Sequence, residues 1–306
     1  MADDWLAAAF EENRAHLRAV AYRLLGSMTD ADDAVQDTWL RLNGADTSEV
    51  VNLGGWLTTV VARVSLNLLR SRRRRQEQHV DGSWAAAVSG TAAGTAAGAP
   101  AGQADPESEA VLADSVGLAL LVVLDRLTPA ERLAFVLHDM FAIPFTEVAA
   151  VLGRSTEATR QLASRARRRV RVTPGPVQAA DLARQREVAA AFLAASRGGD
   201  LAALVAVLDA DVTLHADAAV TASGRPTALR GAQAVAQGAV VASGRAGHSE
   251  LALVDGAVGV VFAPGGQLQV VLALTVSDHR IAAIDVIADA DRLRRLDLAL
   301  LPNETR

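Results

Sequence analysis

The sequence predicts a multidomain protein with two all-α segments followed by an α+β domain. Three features of its 306 residues carry that expectation. Apolar residues recur at helical spacing from Trp5 to Arg75 and again from about Ser108 to Val172. Beyond Ser249 they alternate at strand spacing. Between the two helical blocks, about 82–106, the chain is mainly Ala, Gly, Ser, Thr and Pro with no apolar period.

In the first block Leu17, Val20, Ala21, Leu24 and Leu25, then Val35, Trp39, Leu40 and Leu42, mark amphipathic helices. The stretch 43–55 supplies turn residues, and a further helix is expected from Trp56 to about Arg73. The low-complexity stretch cannot bury enough surface to offset chain entropy, so it reads as a flexible linker. In the second block, `LTPAER` places a Thr at the N-cap, Pro at the first helical position and Glu at the third. The segment `FTEVAAVLGRSTEATRQLASRARRRV` reads as a short helix, a tight turn at Gly153 and a longer basic helix capped by Ser155, a helix-turn-helix pattern.

After the Pro174–Pro176 break a third domain is expected. Residues 178–197 are helical, Gly198 and Gly199 end that helix, and Asp200 caps the next one up to Leu208. Two hairpin turns follow, at Asp255-Gly256 and around Ser277 to Arg280. The expected boundaries are 1–80, a linker at 81–107, 108–173, and 177–300.

Composition narrows function. There is no cysteine, which excludes disulfides, thiolate metal sites and thiol nucleophiles. Neither a leader segment nor a membrane span is expected, and the protein reads as cytoplasmic. The net charge of −5 argues against a uniformly basic nucleic-acid binder. Every basic residue is nevertheless arginine, and the arginines cluster at `LRSRRRR` (69–75) and `RQLASRARRRVR` (160–171), while acidic residues gather in `TDADDAVQD` (29–37). Two basic patches on an acidic chain suit a DNA binder with a protein partner.

Three stretches carry a family resemblance: `AYRLLGSMTDADDAVQDTWLRL`, `GWLTTVVARVSLNLLRSRRRR` and `LDRLTPAERLAFVLHDMFAIPFTEVAAVLGRSTEATRQLASRARRRV`. In that order they resemble the extracytoplasmic-function sigma factors, and within them the group bearing a SnoaL-like C-terminal extension. The resemblance implies two all-α sigma domains, region 2 and the region 4 helix-turn-helix, plus a C-terminal SnoaL-like (NTF2-like) α+β cone. It implies promoter DNA and the RNA polymerase core as partners, with neither cofactor nor metal and no catalytic residue.

Asp33, Gln36 and Asp37 lie three and four residues apart and share one helix face. That face is either a solvated charged surface or, by the resemblance, the region 2.2 surface that docks on the clamp helices of the largest polymerase subunit. On the next helix Trp56, Thr58, Thr59, Arg63, Asn67 and Arg70 can form a stripe that stacks on bases and holds phosphates, with Trp56 alternatively a core residue. The resemblance makes this the reader of the −10 element. Arg154, Ser155, Glu157, Thr159, Arg160 and Arg165 are the corresponding candidates for the −35 element.

In the C-terminal domain, Asp209, Asp211, His215 and Asp217 are the titratable groups of `LDADVTLHAD`. His215 and Asp217 are the candidate pocket residues, with Asp211 on the same strand face by period two. Family members usually carry `WLPEP`-, `DGGGK`- and Asn-Pro-Asp-like signatures, where this chain has `VDGSW` (80–84), `LHADAAVTASG` (214–224) and `ADADRL` (288–293). The expected role of the extension is modulation in cis, through contact with the sigma domains. The competing readings are a helix-turn-helix regulator that does not bind polymerase, and a ligand-sensing or enzymatic C-terminal domain tethered to DNA-binding helices.

Overall fold

A computed structural model describes residues 2–46, 50, 52–86, 117–171, 175–221 and 224–302. Two compact units divide the chain, 1–115 with 127–166 and 116–126 with 167–306.

In the first unit α1 (Ala2–Leu25), α2 (Met28–Asn43) and α3 (Leu53–Ala86) pack on one another. Their buried residues repeat at three and four: Leu17, Val20, Ala21 and Leu24 on α1, Ala31, Ala34, Val35 and Leu42 on α2, and Leu57, Val61 and Val64 on α3. A two-residue turn joins α1 to α2. Gly26 takes φ 73°, which a side chain would strain, and Ser27 caps α2 by accepting the Asp30 N–H. Arg18 makes paired bonds of 2.6 and 3.0 Å to Asp32, and Arg72 pairs with Asp30. Two acidic residues of the 29–37 stretch are therefore paired with arginines of α1 and α3.

Helix α3 begins three residues before Trp56 and continues to Ala86, past the expected end near Arg73 and into the first residues of the expected linker. The arginines and the Gln-Glu-Gln that follow are good helix formers, and no Gly or Pro interrupts them before Gly82. The rest of that linker and residues 108–116 lie outside the described residues.

Helix α4 (Leu118–Asp125) belongs to the second unit, so the expected 108–173 segment is divided between the two. Back in the first unit, Thr128 and Glu131 form the complete capping box of α5 (Pro129–Phe135), which runs on as a π-helical turn, Val136–Met140. Arg132 on α5 is buried, and its Nε donates to the Arg23 carbonyl at the end of α1. Next come α6 (Phe145–Leu152), the left-handed Gly153 at φ 65°, and α7 (Thr156–Val170), whose first turn is closed by Ser155 Oγ accepting the Ala158 N–H at 3.2 Å. Val148, Ala149 and Leu152 face inward, as the spacing predicts.

The second unit holds α4, the end of α7 from Arg167, and all that follows. Helices α8 (Pro176–Gly198), α9 (Leu201–Val207) and α10 (Ala232–Val241) contribute to one apolar core with the sheet. The strands are β1 (Leu208–Ala216), β2 (Thr227–Arg230), β3 (Ser249–Val254), β4 (Ala257–Phe262), β5 (Val270–Ser277), β6 (Arg280–Ile287) and β7 (Leu298–Ala299). They form a sheet in the order β2-β1-β6-β5-β4-β3-β7, antiparallel except for β1 with β6. Both expected hairpin turns are present. Asp255 and Gly256 (φ 50° and 83°) join β3 to β4, and Asp278 and His279 (φ 49° and 59°) join β5 to β6. A last helix, α11 (Ala290–Arg295), precedes β7.

Candidate nucleic-acid and polymerase interface

Three helices of the first unit present the candidate residues. On α2 the inward side carries Ala31, Ala34, Val35 and Thr38, which leaves Asp33 and Gln36 exposed and Asp37 half-buried beside them. Asp37 pairs with Arg41 at 3.3 Å, an exposed pair that adds little stability. Leu40 completes this face one turn beyond Gln36 and is 60% exposed. By sequence Leu40 groups with the apolar helical residues. Only the packing of α2 shows that it faces out beside the carboxylates.

On α3, Arg63, Asn67 and Arg70 are exposed at intervals of four and three, so they share a face. Trp56 and Thr59 are half-buried at its start. Thr58 departs from the expected stripe. It is buried, and its hydroxyl donates to the Gly54 carbonyl at 2.8 Å, because period 3.6 turns position 58 toward the bundle beside Leu57 and Val61. The start of α3 is only partly open to solvent. It lines a cavity of about 410 Å³ with Asn52, Thr58 and Thr59 on one side and Ile143, Glu147 and Val151 on the other. Arg63 reaches across to the Ala150 carbonyl of α6 at 3.4 Å. Nearby, His16 of α1 meets Phe141 edge-on at 5.3 Å, and Arg23 lies 5.1 Å over the same ring. Partial burial, with the Arg23 charge adding to it, holds His16 below the ordinary histidine range.

On α7 and the turn that leads into it, Arg154, Ser155, Glu157, Arg160 and Arg165 are all exposed, and Glu157 pairs loosely with Arg160 at 3.5 Å. Thr159 is the exception. It is fully buried, its hydroxyl donating to the Ser155 carbonyl at 3.0 Å, which keeps it off the outer face. Arg160 also lies 5.8 Å over the Phe145 ring, whose other neighbour is the stacked His138 imidazole at 3.6 Å.

Residues 9–75 match the family model Sigma-70 region 2, and residues 117–170 match Sigma-70, region 4. Over 297 residues the chain is 40% identical to the ECF RNA polymerase sigma factor SigJ of Mycobacterium tuberculosis, covering 92% of this chain and 91% of that one.

The chain belongs to the ECF RNA polymerase sigma factors.

As such it is an alternative sigma factor that directs RNA polymerase. It is also 35% identical over 215 residues to the probable ECF RNA polymerase sigma factor SigI of the same species, covering 70% of this chain and 71% of the relative. The crystal structure of the M. tuberculosis factor SigJ aligns over 94% of this chain and 97% of that one, at 35% identity and a TM-score of 0.45. No helix among the described residues of this sigma factor is long and apolar enough to cross a membrane.

The region 4 match begins at Gly117, so it takes in α4. In the structure that helix packs on β3, β7 and the turn at Pro264–Gly266 of the C-terminal unit. Its sequence, `LALLVVLD`, has no polar face until Asp125, and Ala119 and Leu121 to Leu124 are all buried. A helix apolar all round has to be covered on every side.

His215 and Asp217 line an open cavity of about 300 Å³ with Thr227, Asp285 and Arg292. Asp211 does not join them. The ladder between β1 and β6 shifts register between Leu208 and Thr213, and Asp211 instead pairs with Arg230 at an exposed edge. The Asp217 carboxylate accepts the Ala288 and Asp289 N–H groups at 3.0 Å each and the Arg292 guanidinium at 2.5 Å. Arg292 also donates to Asp285 at 2.5 Å. Partial burial would raise the Asp217 pKa, but the two backbone N–H groups and Arg292 outweigh it and hold the carboxyl below its usual value. Its bond to Asp285, with Asp217 adding to it, raises Arg292. This arrangement anchors the start of α11.

Proposed function

We propose that this sigma factor docks on the polymerase largest subunit through Asp33, Gln36, Asp37 and Leu40, reads the −10 element through α3 and the −35 element through α7. The observation that carries this reading is the order of three exposed faces along one chain: an acidic face with an apolar centre, an Arg/Asn stripe and the N-terminus of a helix-turn-helix recognition helix. Carboxylates beside an exposed leucine suit a protein partner, and aligned arginines suit phosphates. Of the expected DNA contacts, Trp56, Thr59, Arg63, Asn67 and Arg70 on α3, and Arg154, Ser155, Glu157, Arg160 and Arg165 on α7, keep that role. Thr58 and Thr159 position their helices instead.

In the arrangement described, α6 covers the start of α3 within the first unit. Reading −10 bases through Thr59, which lines the cavity shared with α6, therefore requires α6 to move away, and polymerase binding supplies the free energy for that movement. The C-terminal domain modulates the factor in cis and has no catalytic role. Of its two pocket candidates, Asp217 already accepts three donors, which leaves it poorly placed to take a proton from a substrate. The factor works in the cytoplasm, where the polymerase is.

The test is transcription in vitro with purified bacterial core polymerase on a library of promoter fragments, comparing wild type with the Asp33→Ala, Gln36→Ala, Asp37→Ala triple variant. Specific transcripts that fall at least about tenfold in the variant support the reading. Equal output from both would remove the polymerase face from α2.

A further inference from the structure

Helix α4 is the first helix of the region 4 match, yet polar contacts tie it to the C-terminal domain at both ends. At its N-terminus Gly117 takes φ 72°, and a Cβ there would come within 3.4 Å of the Glu250 carboxylate. That carboxylate, on β3, accepts the Ala119 N–H at 2.7 Å and so caps a helix that has no side-chain cap of its own. At the other end Arg126 donates to the Leu293 carbonyl at 2.5 Å and the Arg294 carbonyl at 3.1 Å, satisfying orphan carbonyls in the last turn of α11. The same α11 is anchored at its start by Asp217, as described above. The far end of region 4 is held as well, since the Leu300 N–H donates to the Val170 carbonyl at 3.0 Å and Arg171 bridges Leu300.

These contacts join residues 131, 167 and 168 positions apart, so local sequence cannot account for them. They are also more than an apolar helix needs. Burial of Leu121 to Leu124 would hold α4 without specifying its register, whereas a cap at one end and a guanidinium fork at the other fix it.

We propose that Glu250 and Arg126 form a two-ended latch by which the C-terminal domain holds the first helix of region 4, with Asp217 and Arg292 setting the α11 end of it. Opening the latch releases α4 from the C-terminal domain, and this is how the extension restrains the factor in cis. The regulatory half rests on the sigma reading above; the latch itself does not.

The full-length protein serves for the test, because removing the extension would bare the apolar α4. Arg126→Ala and Glu250→Ala are compared with wild type and with Glu250→Gln, whose side-chain oxygen can still accept the Ala119 N–H. Amide hydrogen exchange is followed over 118–125, and core-polymerase transcription is measured in parallel. The latch predicts exchange about tenfold faster in that segment for both alanine variants, with unchanged exchange in α2 and in the sheet, and a smaller effect for Glu250→Gln. It predicts transcription raised about threefold or more in the same variants. Unchanged exchange at 118–125 would overturn the latch. Faster exchange with unchanged or lower transcription would overturn its regulatory role while leaving the sigma reading intact. No transcript from wild type would overturn the sigma reading and the regulatory role with it.

Discussion

Helices α3 and α7 are both basic, and both are assigned to DNA, but they meet their surroundings differently. The candidate residues at the start of α7 face solvent, with Thr159 alone turned inward. The start of α3 looks into a cavity walled by α6, and Arg63 is already bonded to the Ala150 carbonyl. One reading face is therefore ready and the other is obstructed at its start, although their sequences advertise the same chemistry. An arginine stripe reports what a helix can bind, while its neighbours decide when it can bind.

The largest expected effect lies on the open face. Arg160→Ala should weaken binding of the free protein to −35 duplex by about 1–3 kcal/mol if Arg160 reads a base. If it only neutralises a phosphate, affinity should fall uniformly across sequences with a shallower salt dependence. Fluorescence anisotropy on matched and mismatched duplexes separates the two. The covered face should behave in the opposite way. Binding of the free protein to a single-stranded −10 oligonucleotide should be weak, and Ala150→Arg, which sets a like charge against Arg63, should strengthen it about fivefold. No gain in that variant would mean that α6 does not limit access to α3.

A third expectation concerns the anchor of α11. Asp217→Ala leaves the Ala288 and Asp289 N–H groups without their acceptor, so thermal unfolding of the C-terminal unit should lose about 1–3 kcal/mol. Because the Asp217 pKa is depressed, this stability is present above its ordinary value of 3.8 and is lost as pH falls through the folded-state pKa. Asp217→Asn should copy the acid-induced loss at neutral pH.

The smallest effect is a pH dependence of the covering itself. His16 is held below its ordinary 6.5, so it favours the closed packing while neutral, and that packing weakens as pH falls below 6.5 through the lowered pKa. Arg23 shares the Phe141 ring with it and opposes a second positive charge there. Oligonucleotide binding to the −10 face should rise modestly between pH 7.5 and pH 5, and His16→Phe should flatten the trend.

Local features of the chain were legible wherever the cause was local. The Thr128 capping box, the left-handed Gly153 before Ser155, the Asp200 cap and the turns at Asp255-Gly256 and Asp278-His279 all stand where the residues say they should. Thr58 and Thr159 depart from the expected stripes because polar residues on a helix can satisfy their hydroxyls on the preceding turn and pack inward. Leu40 departs for the converse reason. Its apolar character fits a core, and only the positions of α1 and α3 leave it outside. Asp211 separated from His215 because a register shift breaks the period-two pattern. The latch was invisible for a different reason. Glu250, Arg126 and α11 meet through the tertiary fold, and no periodicity links residues more than a hundred positions apart.

The covering of α3 can be tested directly because the chain contains no cysteine. Arg63→Cys and Ala150→Cys can be joined by a short bis-maleimide in the full-length protein and compared with the same double variant left unjoined. The cross-linked form should keep its −35 duplex affinity and lose the promoter-directed transcription with core polymerase that the unjoined form, itself weakened by the loss of Arg63, still shows. Equal transcription from the two forms would contradict the account, because α3 would then read promoter DNA without leaving α6.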